Sequence, residues 1–167
     1  MSNKDWDPNL SPEQNYILRQ EGTESPGSSP LNNEKGEGSY HCVGCGAKLF
    51  ESNTKYDSGS GWPSFFKSLP DVFEEKEDMH TGYSRTEYHC KKCGGHHGHI
   101  FDDGPEPTGK RYCNNGACLV FKPKGWIVIH SLKKCFEYNL PDVYYLSVMS
   151  NRPRLHKFVK LSFHPPW

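Results

Sequence analysis

One short motif occurs twice in the chain. Tyr40-His41-Cys42-Val43-Gly44-Cys45-Gly46 recurs as Tyr88-His89-Cys90-Lys91-Lys92-Cys93-Gly94. Each C-x-x-C-G presents two thiolates from one tight turn, and the glycine after the second cysteine can take positive φ and let backbone N–H groups point at sulfur. Two such turns supply four sulfurs, Cys42, Cys45, Cys90 and Cys93. They make a closed tetrahedral shell for a soft metal, with zinc the default. The 44 residues between the pairs are long for a zinc ribbon. The metal is therefore expected to pin two distant parts of one larger domain. The competing readings are four free thiols, or a redox C-x-x-C, which would want a βαβ setting that the sequence lacks. His41 and His89 flank a filled shell and are expected as exposed strand residues.

The length of 167 residues suits one domain, or one domain plus tails. Lys and Arg total 20, as do Asp and Glu, so the formal charge is zero. That balance argues against a strongly basic nucleic-acid binder and against an acidic solvating protein. Hydrophobic residues make only 34 % of a chain rich in Gly and Pro, a composition of many loops and a modest core that wants a staple. No apolar run approaches the ~18–20 residues of a membrane span. The opening MSNKDWDPN lacks the apolar segment of a secretory signal. A cytoplasmic protein without membrane partners is expected, in which clustered cysteines mean metal or catalysis.

Three parts follow from composition. Residues 1–38 read as a short helix opening at Ser11-Pro12-Glu13-Gln14, then a Gly/Ser/Pro-rich wrapping arm without chemistry of its own. Residues 39–124 alternate short β-type runs with Gly/Pro/Asp turns, which predicts a mainly antiparallel β domain. Within it, Leu69 to Met79 shows no period and is expected as loop. Residues 125–167 hold six Lys/Arg against two acids and no consistent pattern, although Trp126–Ile129 and Val143–Leu146 have strand character.

Cys113, Cys118 and Cys135 remain. The run from Gly109 to Phe121 reads as one strand, so Arg111, Cys113 and Asn115 share a face. Arg111 would favour thiolate over thiol, and Asn115 offers an amide donor. Cys113 is the candidate nucleophile; a half-buried strand cysteine is the plainer reading. Upstream, Gly94 to Pro105 concentrates His96, His97 and His99, and a turn at Gly98 could bring His96 and His99 to one side. They suit acid chemistry near neutral pH, metal ligation or plain exposure. Trp62, in Ser58-Gly59-Ser60-Gly61-Trp62-Pro63, is either core or a rigid wall for an apolar substrate group.

These residues resemble a known family. Ser58-Gly59-Ser60-Gly61-Trp62-Pro63-Ser64-Phe65, His96-x-Gly-His99-x-Phe101-x-Asp103-Gly104-Pro105 and Thr108-Gly109-x-Arg111-Tyr112-Cys113-x-Asn115 are similar to the B-type methionine sulfoxide reductases, or peptide-methionine (R)-S-oxide reductases. The paired C-x-x-C motifs match their zinc-bearing branch, and the likeness covers about residues 6–124. The resemblance implies two antiparallel sheets with a short N-terminal helix, stapled by a four-cysteine zinc site, around an open, shallow pocket. It implies Cys113 as the catalytic cysteine, His96, His99, Asp103, Arg111 and Asn115 as the polar side of the pocket, and Trp62 with Phe101 as its apolar side. The implied activity is reduction of methionine-R-sulfoxide, free or in oxidised proteins, through a Cys113 sulfenic acid. The implied partners are oxidised proteins or peptides and thioredoxin or another thiol reductant, with the chain a monomer.

Three departures stand out. Ser60 occupies the place of the family's common resolving cysteine, His97 replaces a usually apolar residue, and the tail after Lys124 has no counterpart. An external thiol therefore ranks first for reducing the sulfenic acid, Cys135 second and Cys118 last. Two rival functions remain at this level, a non-enzymatic zinc module and a thiol-based peroxide sensor. Activity of wild type against Cys113→Ser separates the first, and peroxide against methionine sulfoxide the second.

Overall fold

The structure, a computed structural model, describes residues 9–79, 82 and 84–125. Cys135 and the strand candidates in the tail lie outside the described residues. Helix α1 (Pro12–Gln20) begins where expected. Ser11 Oγ accepts from the Gln14 backbone N–H, Gln14 returns the bond to the Ser11 N–H, and Pro12 opens the first turn. Ile17 and Leu18 are its buried face, packed with Cys118. Among the described residues no helix is long and apolar enough to cross a membrane.

Among the described residues, nine strands form two antiparallel sheets. They are β1 (Gly38–Cys42), β2 (Lys48–Glu51), β3 (Lys55–Tyr56), β4 (Ser64–Phe65), β5 (Phe73–Asp78), β6 (Arg85–Cys90), β7 (His96–Phe101), β8 (Arg111–Asn114) and β9 (Leu119–Pro123). The smaller sheet runs β2-β1-β9 and the larger β3-β4-β8-β7-β6-β5. Tyr40, Leu49, Phe50 and Leu119 of the first meet Phe65, Tyr88 and Ile100 of the second in one core. The Phe50 and Phe65 rings stack at 4.0 Å, and Tyr40 meets Phe65 edge-on at 4.9 Å. The mainly β architecture of two antiparallel sheets and one short helix agrees with the sequence reading.

Four local expectations are corrected. Leu69 to Met79 is not all loop, because Phe73–Asp78 pairs with Cys90–Arg85 along six registered positions. Its Glu-Glu-Lys-Glu run hides the strand from any hydrophobic pattern, as suits an exposed sheet edge guarded by charge. Gly109 to Phe121 is not one strand. It splits at Asn115 and a short 3-10 turn, Gly116–Cys118, into β8 of one sheet and β9 of the other. Cys113 and Cys118 therefore do not lie along one continuous strand. His89 is not exposed: it is 3 % accessible, in a stretch of β6 buried on both faces. His41 is half-buried, between Ser39 Oγ and the Gly46 carbonyl.

Gly98 makes no turn either, but it is needed. Tyr88 registers with Gly98 and His89 with His96, so His97 is the extra residue of a bulge in β7. The bulge resets the alternation and brings the His96 and His99 rings to 5.7 Å. Gly98 takes φ 152°, and a Cβ there would sit 2.0 Å from the Cys113 carbonyl oxygen. No other residue fits that approach of β7 to β8.

Candidate active site and metal centre

The two knuckles come together between the sheets. Gly46 and Gly94 take φ 71° and 75°, and their N–H groups close the turns onto the Cys42 and Cys90 carbonyls. The Ala47 N–H lies on the Cys45 sulfur and the Cys93 N–H on the Cys90 sulfur. All four Sγ atoms lie within 4.8 Å of one another. Cys42 and Cys93 are 3.7 Å apart, Cys45 and Cys90 3.6 Å. A tetrahedral four-sulfur centre with metal–sulfur bonds of about 2.3 Å requires sulfurs about 3.8 Å apart. The donor set fits such an ion, and it would join β1 of one sheet to β6 of the other. His97, fully buried, places Nε2 3.4 Å from Cys42 Sγ. Burial pushes its pKa down to about 4, so the neutral ring can donate one N–H to sulfur.

Cys113 sits on β8, a central strand, opposite Ser64 of β4 and His99 of β7. A cavity of about 160 Å³ opens beside it, lined by Thr23, Trp62, Arg85, Gly98, His99, Phe101, Cys113 and Asn115. Burial raises the Cys113 thiol above its ordinary value, opposed by the Ser60 hydroxyl and the Arg111 guanidinium. Ser60 Oγ is 3.9 Å from the sulfur and continues into a hydroxyl chain through Ser58 to Ser64. His99 Nε2 lies 2.9 Å from Asp78 Oδ2, which also receives Arg85 Nη2.

The sequence-predicted residues divide by place. Cys113, His99, Asn115, Trp62 and Phe101 line the one cavity. Arg111 and Asp103 form a bidentate pair at 2.7 and 2.9 Å beside it, with the guanidinium 4.3 Å over the Phe101 ring. His96 is 1 % accessible and stands behind His99 rather than on the cavity wall. Asn115 lies just past β8, where its amide accepts the Glu24 N–H and donates to the His97 carbonyl.

The arm contributes more than wrapping. Thr23 lines the cavity, and the buried Glu24 carboxylate accepts the Gly116 and Ala117 N–H groups at 2.6 and 2.8 Å. The Glu24 carbonyl accepts Trp62 Nε1. Sequence reasoning placed Thr23 and Glu24 in the arm without a role at the site, and missed Asp78 and Arg85. No local pattern signals them, because each reaches the site through pairing with a remote segment.

A thiol, an imidazole, an amide and two aromatic walls around a small cavity can hold an apolar group and move a proton beside a reactive sulfur. Comparison with known proteins adds to this geometry. The SelR domain model matches residues 10–123. The peptide methionine sulfoxide reductase MsrB of Leptospira interrogans is 52 % identical over 122 residues, 72 % of this chain and 93 % of that protein. MsrB of Pseudomonas putida is 49 % identical over 122 residues, 72 % and 92 % of the two chains. MsrB of Methanosarcina barkeri is 49 % identical over 122 residues, 72 % and 86 %. With about half of the matched positions identical along most of the length of these relatives, the chain belongs to the SelR-domain family, among the MsrB proteins.

Proposed function

We propose that this chain reduces methionine-(R)-sulfoxide, free or in oxidised proteins, with Cys113 as nucleophile. The observation that carries this reading is the convergence of Cys113, His99, Asn115, Trp62 and Phe101 on one small cavity. The S-methyl group packs on Trp62 and Phe101. The Cys113 thiolate attacks the sulfoxide sulfur while the His99 imidazole, on the cavity wall, gives a proton to the oxygen; His96, behind His99, is a positioning residue. The protonated oxygen passes from the substrate sulfur to the Cys113 sulfur as the transient sulfur–sulfur contact and the substrate sulfur–oxygen bond break, methionine leaves, and Cys113 is left as sulfenic acid. Asn115, held by Glu24 and the His97 carbonyl, forms part of the polar side of the pocket. Arg111, fixed by Asp103, supports the thiolate. Two equivalents of an external thiol, thioredoxin or another, then return Cys113 to the thiol and release water and a disulfide.

In this reading the four-cysteine centre holds Zn2+ as a structural ion, because a filled four-sulfur shell leaves no position for substrate. The protein works as a cytoplasmic monomer that repairs oxidised methionine, apart from nucleic acid and membranes. The test is a thiol-coupled assay with separated epimers. Turnover of the R epimer alone, abolished by Cys113→Ser with metal content intact, is expected. Equal turnover of both epimers, or activity surviving Cys113→Ser, overturns it.

A further inference from the structure

Behind the cavity, Glu87 and His89 of β6 face His96 of β7. All three are buried, with accessibilities of 6, 3 and 1 %. Glu87 Oε1 lies 3.0 Å from His89 Nε2 and 2.5 Å from His96 Nδ1. At those separations hydrogen bonds would be routine, yet none forms. Glu87 Oε1, His89 Nε2 and both His96 ring nitrogens are buried polar atoms without a hydrogen-bond partner. The atoms crowd one point, but the ring N–H directions miss the carboxylate oxygen. Leaving buried polar groups unpaired is unfavourable, so a cluster of them needs a reason.

The geometry points to a second metal site, formed by Glu87, His89 and His96 and independent of the four cysteines. The donor atoms lie within 4.8 Å of one another, as they must to share an ion. Donors held at about 2.1 Å from one centre stand roughly 3.0–3.4 Å apart; the Glu87–His89 separation of 3.0 Å meets this, and the Glu87–His96 separation of 2.5 Å would open by about half an ångström on binding. His89 has the support that a metal-binding imidazole ordinarily has. Its Nδ1 meets the Gly94 carbonyl at 3.1 Å, which fixes the tautomer and leaves the Nε2 lone pair for the ion. His96 is 1 % accessible and neither of its ring nitrogens has a hydrogen-bond partner, so Nδ1 is left to face the ion.

One carboxylate and two imidazoles select a first-row divalent cation of borderline softness, such as zinc, iron(II) or cobalt(II). Calcium and magnesium prefer all-oxygen shells. The ion would add positive charge beside a carboxylate in a region that water does not reach. This site rests on its own contacts and not on the reductase reading.

Cobalt(II) is the probe. The full-length chain is unfolded, stripped of metal, refolded in the presence of increasing cobalt, desalted and assayed for metal by mass spectrometry. Two cobalt ions per chain are expected. The near-ultraviolet thiolate-to-cobalt band saturates at one equivalent, while the weak visible d–d absorption grows to two. His89→Asn keeps an amide donor for the Gly94 carbonyl and removes Nε2. It should bind one ion with the thiolate band unchanged, as should Glu87→Gln. A wild-type protein that stops at one equivalent overturns the site. So do variants that still take up two, since the second ion then lies elsewhere. If neither variant refolds, the wild-type stoichiometry decides alone.

Discussion

His99 and Asp78 are joined at 2.9 Å through Nε2 and Oδ2, and the same carboxylate oxygen receives Arg85. The strand that brings Asp78 there, β5, is the charged edge strand of the larger sheet. The imidazole is thus aimed at the cavity by a residue that does not line it. Under the proposed chemistry, His99→Ala slows the sulfoxide step by roughly 10²–10⁴. Asp78→Asn, which leaves the ring in place but loosens its aim, gives a smaller loss in kcat with KM little changed. Single-turnover rates on the R epimer check both. A wild-type rate in His99→Ala would remove the acid assignment.

Trp62 lines the cavity with its ring and meets the arm with its N–H, given to the Glu24 carbonyl at 3.1 Å. Trp62→Ala should lower kcat/KM by about 1–3 kcal/mol through lost apolar contact. Trp62→Phe keeps an aromatic wall and drops the hydrogen bond, at about 0.5–1.5 kcal/mol. Steady-state kinetics on a methionine sulfoxide peptide distinguish the two.

Burial raises the Cys113 thiol, so the thiolate fraction at neutral pH is below that of an ordinary thiol and grows as pH rises through and past the usual thiol range. Alkylation of Cys113 should accelerate with pH accordingly. Ser60 works in the opposite direction, since its hydroxyl favours the charged sulfur. Ser60→Ala should therefore push the thiol higher still and slow alkylation at fixed neutral pH. The measurement is iodoacetamide modification of the Cys113 peptide against pH; identical profiles would dismiss the hydroxyl.

After one turnover without reductant, no disulfide among the described cysteines is expected. Position 60 is serine, and Cys118 is fully buried beside Ile17 and Leu18, its Sγ turned to the His96 carbonyl at 3.6 Å. One free thiol should disappear, with a trappable sulfenic adduct at Cys113. A Cys113–Cys118 or Cys113–Cys135 bridge in the peptide map would contradict direct reduction by an external thiol.

Cys93→Ser should release the metal and lower the melting temperature markedly, because binding energy at such a centre is folding energy. His97→Leu tests the neighbouring N–H. Removing a partner of a metal ligand ordinarily weakens the metal by roughly 10–100-fold, which chelator competition reads directly. Unchanged metal affinity would reduce His97 to core filling.

The proposed ligands and the proposed nucleophile were legible in the sequence because the patterns that suggest them are local. Cys-x-x-Cys-Gly folds into its own turn, and Cys113, His99 and Trp62 sit in short distinctive runs. What stayed hidden is non-local. Glu24 acts on backbone more than ninety positions away, and Asp78 acts from a strand whose charges conceal it. The bulge at His97 inverts the face that simple alternation assigns, so no period-2 reading could place His96 beside His99. The break at Asn115 sends the two halves of one apparent strand into different sheets.

The Glu24 clamp on Gly116 and Ala117 also sets an order of assembly. It closes over 92 and 93 residues of chain. During synthesis all four sulfur ligands, the last being Cys93, emerge from the ribosome ahead of Cys113, and the arm waits throughout for the segment it will hold. The four-cysteine centre can therefore be loaded on the nascent chain while the cavity has neither its sulfur nor its floor. Cys113 precedes the clamped Gly116 by three residues, so under the proposed chemistry the nucleophile and the floor held by the arm reach the fold together.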